Sequence, residues 1–188
     1  MTLERKLFDA CLYGRIKVIQ RLLQNPQINF NCENEHRRTP LYIACQNGHN
    51  EIVKLLLKDE RVDVNQANHQ TPFWIACYFG HVEVVKLLLN DERVDINKAR
   101  DGGATALMVA AAWGKIEVVK YILASGRDVD LTIRNEYGTT IENATNLGQM
   151  EVVELLKLFE KNPNQIRFEL RNQLGISGKF QSNFYSIF

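Results

Sequence analysis

Apolar residues recur along this chain in short bursts, and the bursts themselves repeat. Leu3, Leu7, Ala10 and Cys11 fall at i, i+4, i+7 and i+8, with Glu4, Arg5, Lys6 and Asp9 on the other side of the same turns. That is the stripe of a helix with one face buried and one in water. From Thr39 the chain reads TPLYIACQNGHNEIVKLLLKDERVDVN, and from Thr71 it reads TPFWIACYFGHVEVVKLLLNDERVDIN. Each copy predicts two short helices and the turn between them. Gly14, Gly48, Gly80, Gly114 and Gly148 lie 34, 32, 34 and 34 residues apart, and each precedes an apolar pair, from Val18-Ile19 to Val152-Val153. Five repeats result, at about 3–34, 35–66, 67–98, 99–132 and 133–160.

The residues at each junction have physical reasons to be there. Thr39 and Thr71 suit the N-cap, and Pro40 and Pro72 the first helical position, where a missing N–H costs nothing. Gly48 and its equivalents fit the left-handed residue that ends the first helix. First helices of about eight residues fall below the ~12–15 needed for marginal stability in water, so they persist only by packing on neighbours. Leu41, Ala44, Ile52, Val53, Leu56 and Leu57 are the expected core of one repeat. A helix over 163–174 follows, with Asn162 as cap, Pro163 at its first position and Gln165 as capping-box partner. Its stripe Ile166, Leu170 and Leu174 predicts a lid over the fifth repeat, closing a single domain at residues 1–175. Residues 176–188 read as a flexible tail, whose Phe180, Phe184, Tyr185 and Phe188 could serve as a recognition peptide.

Composition narrows the functional classes. The 188 residues carry a net charge of +1, which gives no electrostatic reason to expect nucleic acid or an anionic membrane. No apolar run approaches the ~20 residues that span a bilayer. Cys11, Cys45 and Cys77 share one repeat position and, with Cys32, form no CxxC pair; they read as small packed residues, reduced, in the cytosol or nucleus. The catalytic patterns HExxH, GxSxG, GxGxxG and the P-loop are missing, and no metal or cofactor is expected.

The period and the motif together carry a resemblance. Thr39-Pro40-Leu41-Tyr42-Ile43-Ala44, Thr71-Pro72-Phe73-Trp74-Ile75-Ala76 and Thr105-Ala106-Leu107-Met108-Val109-Ala110 resemble the T-P-L-H-x-A motif of the ankyrin-repeat family, over roughly residues 3–160. The resemblance implies an all-α solenoid of helix-turn-helix units with short β-hairpin or loop fingers, plus the C-terminal capping helix. It also implies partners docking on the concave side, at the finger tips and the exposed end of each first helix. There the pairs are Leu12-Tyr13, Gln46-Asn47, Tyr78-Phe79, Ala112-Trp113 and Asn146-Leu147. Tyr13, Asn47, Tyr78, Phe79, Ala112, Trp113 and Leu147 are the expected partner-binding residues; packing between repeats is the alternative for Phe79 and Trp113.

The family's histidine is missing from the fourth place of the motif, where Tyr42, Trp74, Met108 and Glu142 stand. Tyr42 and Trp74 are expected to pack between repeats and to need partners for their polar atoms. Arg37, Arg38, His69, Lys98, Arg100 and Arg134 are interleaved with Glu33, Glu35, Asp101 and Glu136, which predicts a solvated rim of mixed charge. The finger before Thr71 is two residues shorter than the one before Thr105, predicting a notch near Asn68 and His69. Asp-Glu-Arg-Val-Asp-Val/Ile-Asn occurs at both 59–65 and 91–97, and the duplication points to a structural role. The expected function is non-catalytic binding of a protein by a single copy of the chain. The alternative is an adaptor that recruits an enzyme complex, such as a ubiquitin-ligase or signalling complex, through its C-terminal helix and tail.

Overall fold

The computed structural model describes residues 2–66 and 70–176, and within them eleven helices and no strand. Five pairs run α1 (Leu3–Leu12) and α2 (Ile16–Leu23), α3 (Pro40–Gln46) and α4 (Asn50–Leu57), α5 (Pro72–Phe79) and α6 (Val82–Leu89), α7 (Ala106–Ala112) and α8 (Ile116–Ala124), and α9 (Thr140–Asn146) and α10 (Met150–Lys161). A last helix, α11, spans Pro163–Gln173. The odd-numbered first helices pack on one another in order, from α1 against α3 to α7 against α9, and the second helices form a parallel layer behind them. The expected all-α solenoid is what forms. The predicted short finger with its notch at Asn68 and His69, and the aromatic residues Phe180, Phe184, Tyr185 and Phe188, lie outside the described residues.

Each first helix starts on the same device. The hydroxyls of Thr2, Thr39, Thr71, Thr105 and Thr139 accept from the amides of Arg5, Tyr42, Trp74, Met108 and Glu142, at 3.0–3.3 Å. The fifth repeat adds a return bond, because the Thr139 amide donates to the Glu142 carboxylate at 2.6 Å and completes a capping box. Glu142, a departure from the motif by type, is therefore in service as a cap. Burial is almost total where helices are flanked on both sides: all seven residues of α7 are buried. Cys11, Cys45 and Cys77 are free and buried, and burial pushes their thiols up, so they behave as small apolar residues.

Adjacent repeats are joined by polar clamps that recur at the repeat period. At the turn after each first helix, His49 Nε2 lies 3.0 Å from the Leu12 carbonyl, and His81 Nε2 lies 3.0 Å from that of Gln46. Gly48 holds φ at +67°, and a Cβ there would meet the His81 ring at 2.8 Å, so only glycine both turns the chain and admits the next repeat's ring. These histidines tie one repeat to the last although the motif's own histidine is absent.

The duplicated Asp-Glu-Arg-Val-Asp segment has a double purpose. Arg61 donates to the carbonyls of Leu23 (3.1 Å) and Asn25 (2.9 Å) at the C-terminus of α2, and Arg93 to that of Leu57 (2.7 Å) at the end of α4. Arg127 reaches the carbonyls of Val94 (2.6 Å), Asp91 and Leu89 near the end of α6. A cation is stabilising at the negative end of a helix, where the last carbonyls lack partners. Asp59 and Asp91 brace their arginines, each with a bond of 2.6 Å. Behind them Asn31, Asn65 and Asn97 each bridge to the following repeat. Asn65 Nδ2 donates to the Arg93 carbonyl at 2.6 Å, while its Oδ1 accepts from the Asp95 amide at 2.8 Å.

The C-terminal helix covers the fifth repeat as expected and reaches back to the fourth as well. It packs against both α8 and α10, with Leu170 buried and Ile166 and Leu174 half-buried on that side. Arg171 Nε donates to the Ala124 carbonyl at 2.8 Å and Arg167 Nε to that of Leu123 at 3.4 Å. The end of α8 is thus answered from α11, as the ends of α2, α4 and α6 are answered from the next repeat. The expected cap is absent: Asn162 makes no side-chain cap bond, and Gln165 bonds Glu169 (2.6 Å) instead. Asn162 closes α10 and opens α11 at once, and its φ of −140° and ψ of 68° belong to that sharp junction. The fingers are tight turns, closed by bonds such as Asn34 N–H to the Arg38 carbonyl (3.1 Å) and Arg100 N–H to that of Ala104 (3.0 Å). Asn135 and Gly138 form an isolated antiparallel bridge, the nearest approach to a hairpin among the described residues.

Asn65→Ala deletes two inter-repeat bonds and is expected to cost about 1–3 kcal/mol by urea unfolding, with no loss of helicity. A midpoint equal to that of the unsubstituted chain would show the clamp to be idle. The Arg93 guanidinium holds the Asp91 carboxyl below its ordinary value, against an upward push from burial. A carboxyl depressed in the folded state stabilises above its unfolded value of about 3.9, and that contribution fades as pH falls through the folded value. The stability gap between Asp91→Asn and the unsubstituted chain is therefore expected to hold steady from neutral pH to about pH 5 and to close toward about pH 2. A gap unchanged in acid would remove the ion pair from the account.

Candidate functional site

A groove of about 490 Å³ runs between the fingers and the first helices of repeats two to five. Its floor is Tyr42, Trp74 and Met108, the side chains at the fourth place of the motif. The finger side brings Arg38, Arg100 and Tyr137, and the helix-end side brings Phe79, Trp113 and Leu147. Position follows from local structure: the last turn of each first helix projects beyond the next repeat, so its final residues stay in water while the middle of the helix is covered. Phe79, Trp113 and Leu147 are accordingly 44%, 57% and 56% exposed, whereas Trp74, five residues before Phe79, is 5% exposed.

Of the expected binding residues, Tyr78, Phe79, Ala112, Trp113 and Leu147 line this one groove. Ala112 does so as a buried residue and Tyr78 as a half-buried one. Tyr13 and Asn47 stand apart from it. Tyr13 is exposed on the first repeat under the Arg15 guanidinium, 5.2 Å from the ring centre, and Asn47 turns its amide back to the Ile43 carbonyl at 2.8 Å. The aromatic residues also touch one another. Tyr78 stacks on Trp74 with centroids 5.5 Å apart and meets Phe79 (5.1 Å) and Trp113 (5.6 Å) edge-on. Phe79 and Trp113 are thus braced from below by Tyr78 and open above.

Tyr42 and Trp74 were expected between repeats with their polar atoms partnered. Both are buried, and both also form groove floor. The Tyr42 hydroxyl donates to Gln70 at 3.0 Å, and burial pushes its phenol up, so it remains a donor. The Trp74 indole N–H is buried with no acceptor among the described residues. A buried donor left unpaired costs about 1–3 kcal/mol.

The rim is less uniform than the charge pattern implied. Arg134 pairs with Glu142 at 3.1 Å, Lys98 donates to the Asn65 carbonyl at 3.0 Å and His36 lies 3.6 Å from Glu35. Arg38 and Arg100 instead fold inward, over the Tyr42 ring at 5.5 Å and the Trp74 ring at 5.3 Å. An aromatic in place of histidine offers a flat electron-rich face on which a guanidinium lies. Sequence reading named these two arginines as rim residues and missed their inward turn, since Arg100 meets a ring of the preceding repeat and Arg38 reaches the Tyr42 ring from a finger whose path the sequence does not give. Tyr137, 63% exposed on the last finger, was missed altogether. Among the described residues the groove lining contains no acid, histidine, cysteine, serine or lysine. Among the described residues no three His, Cys, Asp or Glu cluster as a metal site would need, and no helix is long and apolar enough to cross a membrane.

Comparison with known proteins places these features in context. The family model for ankyrin repeats matches residues 7–100, 60–135 and 92–167. Among curated proteins, the chain is 34% identical over 56 residues to human ankyrin repeat domain-containing protein 7, a stretch covering 30% of this chain and 22% of that protein. It is 41% identical over 64 residues to human transient receptor potential cation channel subfamily A member 1, covering 33% of this chain and 6% of the channel. Rat acyl-CoA-binding domain-containing protein 6 matches at 33% over 57 residues, 30% of this chain and 20% of that protein. The chain thus spans less than a quarter of the length of each of these relatives.

The chain's two tryptophans both line the groove, which makes it optically visible. With Trp113→Phe only the shielded Trp74 remains, and acrylamide is expected to quench it several-fold less than it quenches Trp113 in Trp74→Phe. Equal quenching of the two variants would show that the floor is open to water.

Proposed function

The chain belongs to the ankyrin-repeat family, and we propose that it acts as a non-catalytic module that holds a protein partner in the groove over α3, α5, α7 and α9. Repeats of this family are protein-interaction modules, which is the general ground for the reading. The observation that carries it is the row Phe79, Trp113 and Leu147, apolar and exposed along one side of a groove whose floor is already packed. Large aromatics held rigid by a neighbour lose little entropy on binding, and such residues supply most of the affinity of an interface. Tyr13 and Asn47, at equivalent helix ends beyond the groove, extend the contact along the stack. Four free cysteines, three of them buried, support residence in the cytosol or nucleus.

A second reading has one observation in its favour. On α11, Leu170 faces the core while Phe168 is 61% exposed on the opposite side. An adaptor would use that outer face to recruit a second protein while the groove holds the first.

Phe79→Ala combined with Trp113→Ala is expected to abolish partner capture in cross-linked pull-downs from the native cell. The cost in stability should be about 1–3 kcal/mol, from the two edge-on contacts with Tyr78, with helicity intact. Unfolding of the double variant would make these side chains core and defeat the groove. Under the adaptor reading, Phe168→Ala removes a different set of partners and spares the first.

A further inference from the structure

Resting on the groove assignment above, we infer that the occupant is an extended peptide segment in which acidic residues alternate with apolar ones. The groove is a surface on which charge of one sign is set apart. The whole sequence balances 23 Lys and Arg against 22 Asp and Glu, yet among the described residues the lining holds Arg38 and Arg100 and no carboxylate. Neither guanidinium is within ion-pair range of any acid among the described residues, although Arg61, Arg93 and Arg134 each have one. Both lie on aromatic rings instead. A guanidinium stacked on a ring keeps its in-plane N–H groups free, and that planar fork matches a carboxylate in bidentate fashion.

The same pair decides against a cationic guest. Tyr42, Trp74, Tyr78 and Trp113 supply the aromatic surface that would suit an ammonium, but two guanidiniums already cover the floor and would repel it. Nucleic acid is disfavoured by number, because a backbone-binding track neutralises several phosphates and this groove offers two cations beside an apolar wall.

The two walls set the pattern of the guest. Arg38 and Arg100 come from the finger side, and Phe79, Trp113 and Leu147 from the helix-end side. Successive side chains of an extended strand point to opposite sides, so a strand lying along the floor directs every second residue to each wall. Acidic residues then face the fingers and apolar residues the helix ends. The floor adds an independent sign of an absent acceptor, the buried Trp74 N–H that no group among the described residues accepts. A carboxylate that draws Arg100 off the Trp74 ring uncovers that donor for a main-chain carbonyl of the guest.

The test uses the full chain and the emission of its two tryptophans. A capped hexapeptide alternating Glu with Leu is titrated beside versions carrying Gln or Lys for Glu, and beside a hexathymidine. The Glu peptide is expected to bind at least about tenfold more tightly than the Gln peptide, and to weaken toward about 1 M salt, where screening acts within about 3 Å. Arg38→Gln with Arg100→Gln should bring the Glu peptide to the level of the Gln peptide, and Arg38→Lys with Arg100→Lys should fall between. Circular dichroism of both variants checks that the fold is unchanged. Equal binding of the Gln or Lys peptide, preference for the oligonucleotide, no response to the Glu peptide, or an arginine variant without effect would each overturn the acidic guest. Partner capture separates this failure from that of the groove. Capture kept by Arg38→Gln with Arg100→Gln but lost by Phe79→Ala with Trp113→Ala overturns the acidic guest alone, and capture surviving both overturns the groove.

Discussion

A helix of seven or eight residues cannot hold itself together in water, and nine of the eleven helices among the described residues run ten residues or fewer. Everything else in the structure answers that constraint. The short helices survive because neighbouring helices cover their apolar faces and polar groups, several of them from the next repeat, meet their open ends. The Thr caps serve the N-termini, and Arg61, Arg93 and Arg127 serve the C-termini of the second helices. Because every clamp crosses from one repeat to the next, stability is a property of the boundaries between repeats as much as of the repeats. The last helix follows the same logic: Arg171 reaches the end of α8 from α11, and the stack is finished by its own connecting chemistry.

The proposed binding surface grows out of the same geometry. Stacking buries the middle of each first helix and leaves its last turn in water, so one register of the repeat is free to vary. Phe79, Trp113 and Leu147 occupy that register. The fourth place of the motif is the second point of variation. With Tyr42 and Trp74 there, the rings become a floor for Arg38 and Arg100, while His49 and His81, at another position, bond the preceding repeat.

Legibility differed sharply between elements. The helix pairs, the threonine caps, the glycine turns and the buried cysteines all follow from spacing, because each is a contact within one repeat and the repeat is written out five times. The structural role of the duplicated Asp-Glu-Arg-Val-Asp segment was also legible, from duplication alone, although not which carbonyls its arginines would reach. The join at Asn162 was misread, since Asn-Pro-x-Gln has the composition of a capping box whatever the preceding helix does. Here α10 runs straight to Lys161, and the asparagine has no room to act as a separate cap.

By itself the sequence determined a stack of short helix pairs, its period, its capping residues and the apolar character of the exposed helix ends. These depend on interactions between residues a few positions apart, or on one pattern repeated, and both are visible in a linear string. Only the tertiary structure decided which exposed residues share a groove, that Arg38 and Arg100 turn inward onto rings, that the Trp74 N–H finds no acceptor among the described residues, and that α11 lies against α8 as well as α10. Apart from Arg38 on Tyr42, those contacts join different units of the stack at distances set by the packing of whole helices. No local pattern encodes them, because the same residues in a differently spaced stack would meet other neighbours.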